Sequence, residues 1–319
     1  MQDDEHDIEE LTSDLARLRI AFVNVYFAGA QRKRTATPWV LVDAGLSFGA
    51  AQFLGIAAER YGPEVKPSAV VLTHGHFDHV GALDALLGVW DVPVYAHTLE
   101  LPFLTGRSDY PPPDPTVGRG LVARLSPAFP ERGTDFTGRV HPLPGDGTVP
   151  GMPGWRWLHT PGHSPGHVSL FRDADRALIA GDAVCTTRQD SVFSVVTQRK
   201  ELNGPPAYFT IDWDKARQSA QTLAALQPSI IATGHGEPMS GAAAAEALSA
   251  LAVDFNRQAR PRKGRYVSQP VATDDEGIVM LPPPPRERRV RWGAMSGVAA
   301  AAVAGTWLYR RFNRRTPTS

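Results

Sequence analysis

His74, His76, Asp78 and His79 fall within six positions of one another, in Thr73-His74-Gly75-His76-Phe77-Asp78-His79-Val80-Gly81, directly after the apolar run 69–72. Imidazole nitrogens and carboxylate oxygens are the donors that bind borderline divalent ions. Two positions apart on an extended backbone, His74 and His76 can converge on one ion, while Asp78 and His79 turn toward a second. Unpaired imidazoles and carboxylates are costly to bury, so a purely structural reason for packing four of them beside a core strand is hard to find. A lone histidine at a strand end is more often a hydrogen-bonded structural residue. Four at this spacing point to metal.

Three further candidates lie downstream. His163 sits in the turn-rich stretch His159-Thr160-Pro161-Gly162-His163-Ser164-Pro165-Gly166-His167, Asp182 closes the apolar run 177–181, and His235 closes the run 229–234. Each stands where an expected strand exits into a glycine-containing loop, the place where an α/β scaffold gathers its functional groups. His159 and His167 read as turn residues satisfied by backbone groups, and His6, His97 and His141 as ordinary surface or loop histidines.

With these motifs in this order, residues 20–255 resemble the metallo-β-lactamase-fold hydrolases, in their glyoxalase II and lactonase-like branch. The resemblance implies that His74, His76 and His163 hold a first metal. It also implies that Asp78, His79 and His235 hold a second, with Asp182 bridging the two. It assigns Asp43, in Val40-Leu41-Val42-Asp43-Ala44-Gly45, and His167 to supporting positions behind the ligands. Two Zn²⁺ per chain are the expected cofactors, with iron or another divalent metal as the alternative. Ions bridged in this way sit about 3.5–4 Å apart around a shared hydroxide, with the pKa of the trapped water lowered toward roughly 7. Asp78 would then orient that hydroxide and carry a proton to the leaving group. The resemblance implies metal-dependent cleavage of an ester, a thioester as in glyoxalase II relatives, or a lactone. Lactonases often carry a tyrosine three residues after the bridging aspartate, where this chain has Cys185. The competing expectations are an iron-dependent persulfide dioxygenase on the same motifs and a tail-anchored scaffold without activity.

Composition fits an enzyme acting on small molecules. Lys+Arg and Asp+Glu both total 33, giving a formal net charge of zero. Neither net charge nor a basic run interleaved with aromatics steers the catalytic region toward nucleic acid, so no such partner is expected. Cys185 is the single cysteine, so no intrachain disulfide forms and a reducing compartment fits. It reads as a buried structural residue, since a metal centre already supplies the nucleophile. The acidic start, residues 2–7, lacks the cationic and apolar stretches of a secretory signal, so the cytoplasm is the expected location.

The elements that must position these residues alternate. Residues 20–28, 39–42, 92–96, 155–158, 168–172, 177–180 and 229–233 read as strands, and 48–60, 82–89 and 214–226 as helices. The alternation indicates an α/β fold, and the resemblance narrows it to a four-layer αββα sandwich with the metal site at the seam. Two stretches, 105–154 and 185–213, carry prolines and aromatics suited to pocket walls, although the same aromatics could simply pack their loops onto the core. The expected organisation is an acidic segment over 1–19, the catalytic domain over 20–255, a proline-rich extended arm or linker over 256–285 and a tail over 286–319. Within the tail, residues 292–309 carry no charge and are flanked by arginines, with Trp292, Trp307 and Tyr309 at the ends. That pattern suits a membrane-associated helix or a small-residue helix docked on protein.

Overall fold

The computed structural model describes residues 8–31, 38–117 and 120–284. Seven strands form the first sheet in chain order: β1 (Ile8–Thr12), β2 (Leu15–Ile20), β3 (Val23–Ala28), β4 (Val40–Val42), β5 (Ala69–Val71), β6 (Val94–Ala96) and β7 (Val140–Pro142). The second sheet runs from β8 (Trp155–His159) through β9 (Val168–Arg172), β10 (Ala177–Gly181) and β11 (Ile230–Thr233) to β12 (Met239–Ser240). A separate hairpin pairs β13 (Ala272–Asp274) with β14 (Gly277–Met280). The helices are α1 (Ala50–Tyr61), α2 (Phe77–Val80), α3 (Leu83–Val89), α4 (Leu101–Leu104), α5 (Leu121–Leu125), α6 (Val192–Thr197), α7 (Trp213–Ala225), α8 (Ala242–Val253) and α9 (Phe255–Gln258).

Side-chain alternation along the strands sorts these elements into four layers. Val25, Phe27, Leu41 and Val70 point outward and pack under Phe53 and Ile56 of α1 and Leu83 and Leu86 of α3. Their neighbours Tyr26, Val40, Val42 and Val71 point inward and meet Val168, Leu170, Ile179 and Ala232 of the second sheet. On that sheet's far face, Leu178, Ala180 and Ile231 pack under α7 and α8 through Ala216, Ala220, Leu223, Leu248 and Leu251. Each large apolar side chain buried in these layers contributes about 1.5–3 kcal/mol. The expected αββα sandwich is the fold observed.

Three expectations need correction. Residues 8–19 are not a segment outside the domain, because they form β1 and most of β2, and Leu15, Ala16 and Leu18 are fully buried. The stretch 20–28 is not one strand: the chain turns at Ala21, whose φ is 56°, and β3 runs back antiparallel to β2. Residues 256–284 are not an extended arm. Tyr266 and Val271 are buried in a cluster with Ile211, and the Tyr266 hydroxyl donates to Pro112 O at 2.6 Å. The tail over 286–319 lies outside the described residues. Among the described residues, no helix is long and apolar enough to cross a membrane.

Candidate metal centre

Parallel pairing brings the loops together. β4 and β5 run parallel in one sheet and β10 and β11 run parallel in the other, so within each pair the chain leaves at the same end. Asp43 follows β4, the His74–His79 loop follows β5, Asp182 follows β10 and His235 follows β11. His163 comes from the connection between β8 and β9. The two sheets are also stitched together here. Asn24 Nδ2 donates to Thr233 O at 2.8 Å and to Gly236 O at 2.7 Å, and the Tyr26 hydroxyl donates to Thr233 O at 2.6 Å.

All seven candidate ligands meet at this seam, buried. His76 Nδ1 lies 2.9 Å from His163 Nε2. Asp182 stands between the two groups: Oδ2 is 3.5 Å from His163 Nε2 and 3.2 Å from His235 Nε2, and Oδ1 is 3.7 Å from His79 Nε2. Asp78 Oδ2 reaches His235 Nε2 at 3.4 Å. Among the described residues, three sets could each hold an ion, namely His74, His76 and His163; His74, His79 and Asp182; and Asp78, His79 and His235.

The residues behind these groups set which nitrogen faces inward. His79 Nδ1 pairs with Asp43 Oδ2 at 2.8 Å and His235 Nδ1 with Phe22 O at 2.9 Å, turning both Nε2 atoms toward the centre. Asp43 is itself held by the Thr73 amide at 2.8 Å and the Thr73 hydroxyl at 2.8 Å. Its backbone lies in the left-handed region, at φ 63°, which aspartate tolerates better than most residues. His167 accepts the Asp182 amide at Nε2, 2.8 Å away, and pairs through Nδ1 with the Thr160 hydroxyl at 2.9 Å. His159 contacts Pro165 O at 2.9 Å and stacks on His97, with ring centroids 4.2 Å apart. His141 packs near Tyr95, and His6 lies outside the described residues.

Electrostatics favour a cation at the centre. Burial, reinforced by the neighbouring imidazoles, pushes His74 well below the usual histidine range and His76 to about 3, which leaves their lone pairs free. Burial would also lower His79 and His235, but the carboxylates beside them raise both, Asp43 and Asp182 acting on His79 and Asp182 and Asp78 on His235. Burial would raise Asp182, yet His235 and His79 hold it well below the usual carboxylate range. Among the described residues, His74 Nε2, His79 Nε2 and Asp182 Oδ1 are buried with no hydrogen-bond partner. Such orphaned atoms cost about 1–3 kcal/mol each, and divalent ions at the centre would satisfy them together. The donor set therefore fits metal.

Burial, together with the charges of Asp182 and Asp78, pushes the Cys185 thiol well above its usual range. It is held as the thiol, a poor nucleophile.

Glu100, which belongs to none of the sequence motifs, is the other residue organising the site. Fully buried, it accepts from the Gly75 amide at 3.0 Å, the Gly166 amide at 2.8 Å, the Ser164 hydroxyl at 2.6 Å and the Tyr110 hydroxyl. It thereby ties the His74–His76 turn to the His163 loop. Its signal in the sequence is a lone carboxylate inside the otherwise apolar stretch 99–104.

Gly234 makes the centre sensitive to a single methyl group. A Cβ there would sit 2.1 Å from Asp182 Oδ1 and 2.8 Å from His79 Cε1. Gly234→Ala is expected to displace the carboxylate and weaken metal affinity by about 10–100-fold, the scale on which disturbed ligand support acts. Metal titration alongside circular dichroism checks this. Native-like affinity in a folded variant would show that Asp182 is not held in this place.

Comparison with known proteins agrees with this geometry. The sequence profile of the family described as the metallo-beta-lactamase superfamily matches residues 19–235. The chain is 48% identical over 224 residues to the probable metallo-hydrolase YflN of Bacillus subtilis (strain 168), covering 70% of this chain and 84% of that one. It is 29% identical over 151 residues to a hydroxyacylglutathione hydrolase of Alkalilimnicola ehrlichii, covering 46% of each. A beta-lactamase domain protein from Burkholderia ambifaria shares the fold, with a TM-score of 0.52 at 21% identity over 78% of this chain and 76% of that one. With its strand-end histidines and aspartates gathered at the seam of an αββα sandwich, the chain belongs to the metallo-beta-lactamase superfamily and is a relative of its metallo-hydrolases.

Proposed function

We propose that the protein is a dinuclear metallohydrolase, with zinc as its metal, that cleaves an ester, thioester or lactone-type bond. The observation that carries this reading is the position of Asp182, whose two oxygens face imidazoles from both candidate ligand groups. His74, His76 and His163 would hold one ion and Asp78, His79 and His235 the other, with Asp182 between them. Bound there, the ions would polarise the substrate's carbonyl and supply a nucleophile at neutral pH. The chain's own residues orient and exchange protons. Asp43 and the Phe22 carbonyl fix the inward nitrogens of His79 and His235. Asp78 retains some solvent access and reaches His235 Nε2 at 3.4 Å, which places it to take a proton and pass it to the leaving group.

The test is elemental analysis of protein purified without added metal, followed by a panel of esters, thioesters, lactones and phosphodiesters. Two equivalents of zinc with oxygen-independent hydrolysis are expected. One equivalent of metal in fully active protein would overturn the dinuclear reading. A single iron with oxygen uptake on a persulfide would replace hydrolysis by dioxygenation.

A further inference from the structure

The two proline- and aromatic-bearing stretches, 105–154 and 185–213, meet on one side of the metal centre. Among the candidate ligands, His76, Asp78 and His235 retain the most exposure, at 5%, 6% and 3%. Phe209 lies against His76, with ring centroids 4.8 Å apart, and is 6.4 Å from His163. Phe77, immediately after His76, is 6.3 Å from Phe209 and 5.8 Å from Phe129, which closes the triangle at 6.0 Å from Phe209. Phe77 and Phe129 pack against a small cluster of Ala123, Tyr208 and Phe209 but are themselves only half-buried, so part of each ring stays uncovered.

Two more apolar side chains stand on the neighbouring short helices. Gly120, which leads into α5, abuts the backbone of Asp190, just before α6. Leu121 and Phe193 near the starts of these helices are 53% and 68% exposed. The α6 segment is tied to the His235 loop, since the Thr187 hydroxyl donates to Ser194 O at 3.1 Å and the Thr187 backbone packs on Gly236. Arg188, on the same connection, is paired with Asp190 at 3.4 Å, so its charge is already compensated. Exposed apolar side chains beside a centre with convergent polar groups are what an apolar ligand covers.

We propose that the wall of Phe77, Phe129 and Phe209, with Leu121 and Phe193 at its rim, binds the acyl portion of the substrate. The preferred substrates are then esters or thioesters of medium-chain fatty or aromatic acids, rather than of short or anionic ones. This rests on the hydrolase reading above. In the reaction, water's oxygen bonds to the acyl carbon, the C–O or C–S bond breaks, and a proton leaves with the alcohol or thiol.

The experiment has two arms, both on metal-loaded full-length protein. In the first, kcat/KM is measured on esters and thioesters from acetyl to octanoyl, with succinyl as the anionic comparison. A rise of about two- to fourfold per methylene is expected, the scale of burying one CH₂. Phe129→Ser should flatten the octanoyl-to-acetyl ratio, and Phe129→Leu should restore most of it. In the second arm, equilibrium binding of 2-butanone and 2-octanone reads the wall without turnover, and the native protein should favour 2-octanone by at least tenfold. Faster hydrolysis of acetyl or succinyl than octanoyl substrates would overturn the acyl wall while leaving the hydrolase intact. No hydrolysis, but length-dependent binding lost in Phe129→Ser, would remove the hydrolase and keep the wall. Absence of both would overturn both.

Discussion

Asp78→Asn, reloaded with metal at high concentration, is expected to turn over substrates with poor leaving groups about 10²–10⁴-fold more slowly than the native protein, the usual contribution of a positioned acid–base group. Asparagine keeps the size of the side chain and one oxygen donor but cannot accept a proton. In the native protein, Asp78 Oδ2 lies 3.4 Å from His235 Nε2 and the residue is 6% exposed, so it touches both the centre and the side open to substrate. Its burial raises the carboxyl above the ordinary range, against the opposing pull of His79 and His235. Leaving groups of low pKa depart without protonation and should suffer much less. The measurement is kcat across leaving groups of graded pKa, with metal content determined on the same samples. Native turnover of a poor leaving group by metal-saturated Asp78→Asn would leave Asp78 no proton to carry.

The same contrast between side-chain type and surroundings explains what the sequence makes legible. His74, His76, Asp182 and His235 each follow an apolar run, and a strand that breaks into a polar, glycine-bearing loop is visible without coordinates. The central strands and the long helices α1 and α7 are legible for a related reason, since their periodicity is unambiguous. The turn between β2 and β3 is not, because Ala21 takes a positive φ with none of the Gly or Asn residues that normally announce one. Residues 8–18 are hidden by their charges. Arg17 is buried, yet it bonds Glu9 at 2.9 Å and Glu237 at 2.8 Å, so a strand interior carries a residue that reads as surface. Residues 256–284 look like a linker by composition but fold back through a few anchors, notably Tyr266 on Pro112 and the Arg265 amide on Asp114. Long-range partners of this kind leave no local periodicity.

Glu100 is the strongest case of a role set by such partners, and replacing it should cost the fold and the metal centre together. Its carboxylate is fully buried and accepts two backbone amides and two hydroxyls drawn from three separate segments. A buried donor left unpaired costs about 1–3 kcal/mol, so Glu100→Ala, which strips all four, should destabilise the protein by at least about 3 kcal/mol. Glu100→Gln is the more informative variant. The Ser164 and Tyr110 hydroxyls can rotate to accept from an amide NH₂, but the Gly75 and Gly166 amides cannot. Whichever way the glutamine turns, its nitrogen faces one backbone N–H, leaving that donor unpaired. Because Gly75 separates His74 from His76 and Ser164 follows His163, the variant should also bind metal about 10–100-fold more weakly. Burial raises the Glu100 carboxyl above its value in the unfolded chain, with the four hydrogen bonds pulling against it. Its contribution to stability is therefore full below the unfolded pKa and declines as pH rises through the folded one. Denaturant titration of native protein and Glu100→Gln across that interval should show a slope in the first that is missing from the second. Equal stability at neutral pH, with unchanged metal affinity, would mean that the two ligand loops hold their places without the carboxylate between them.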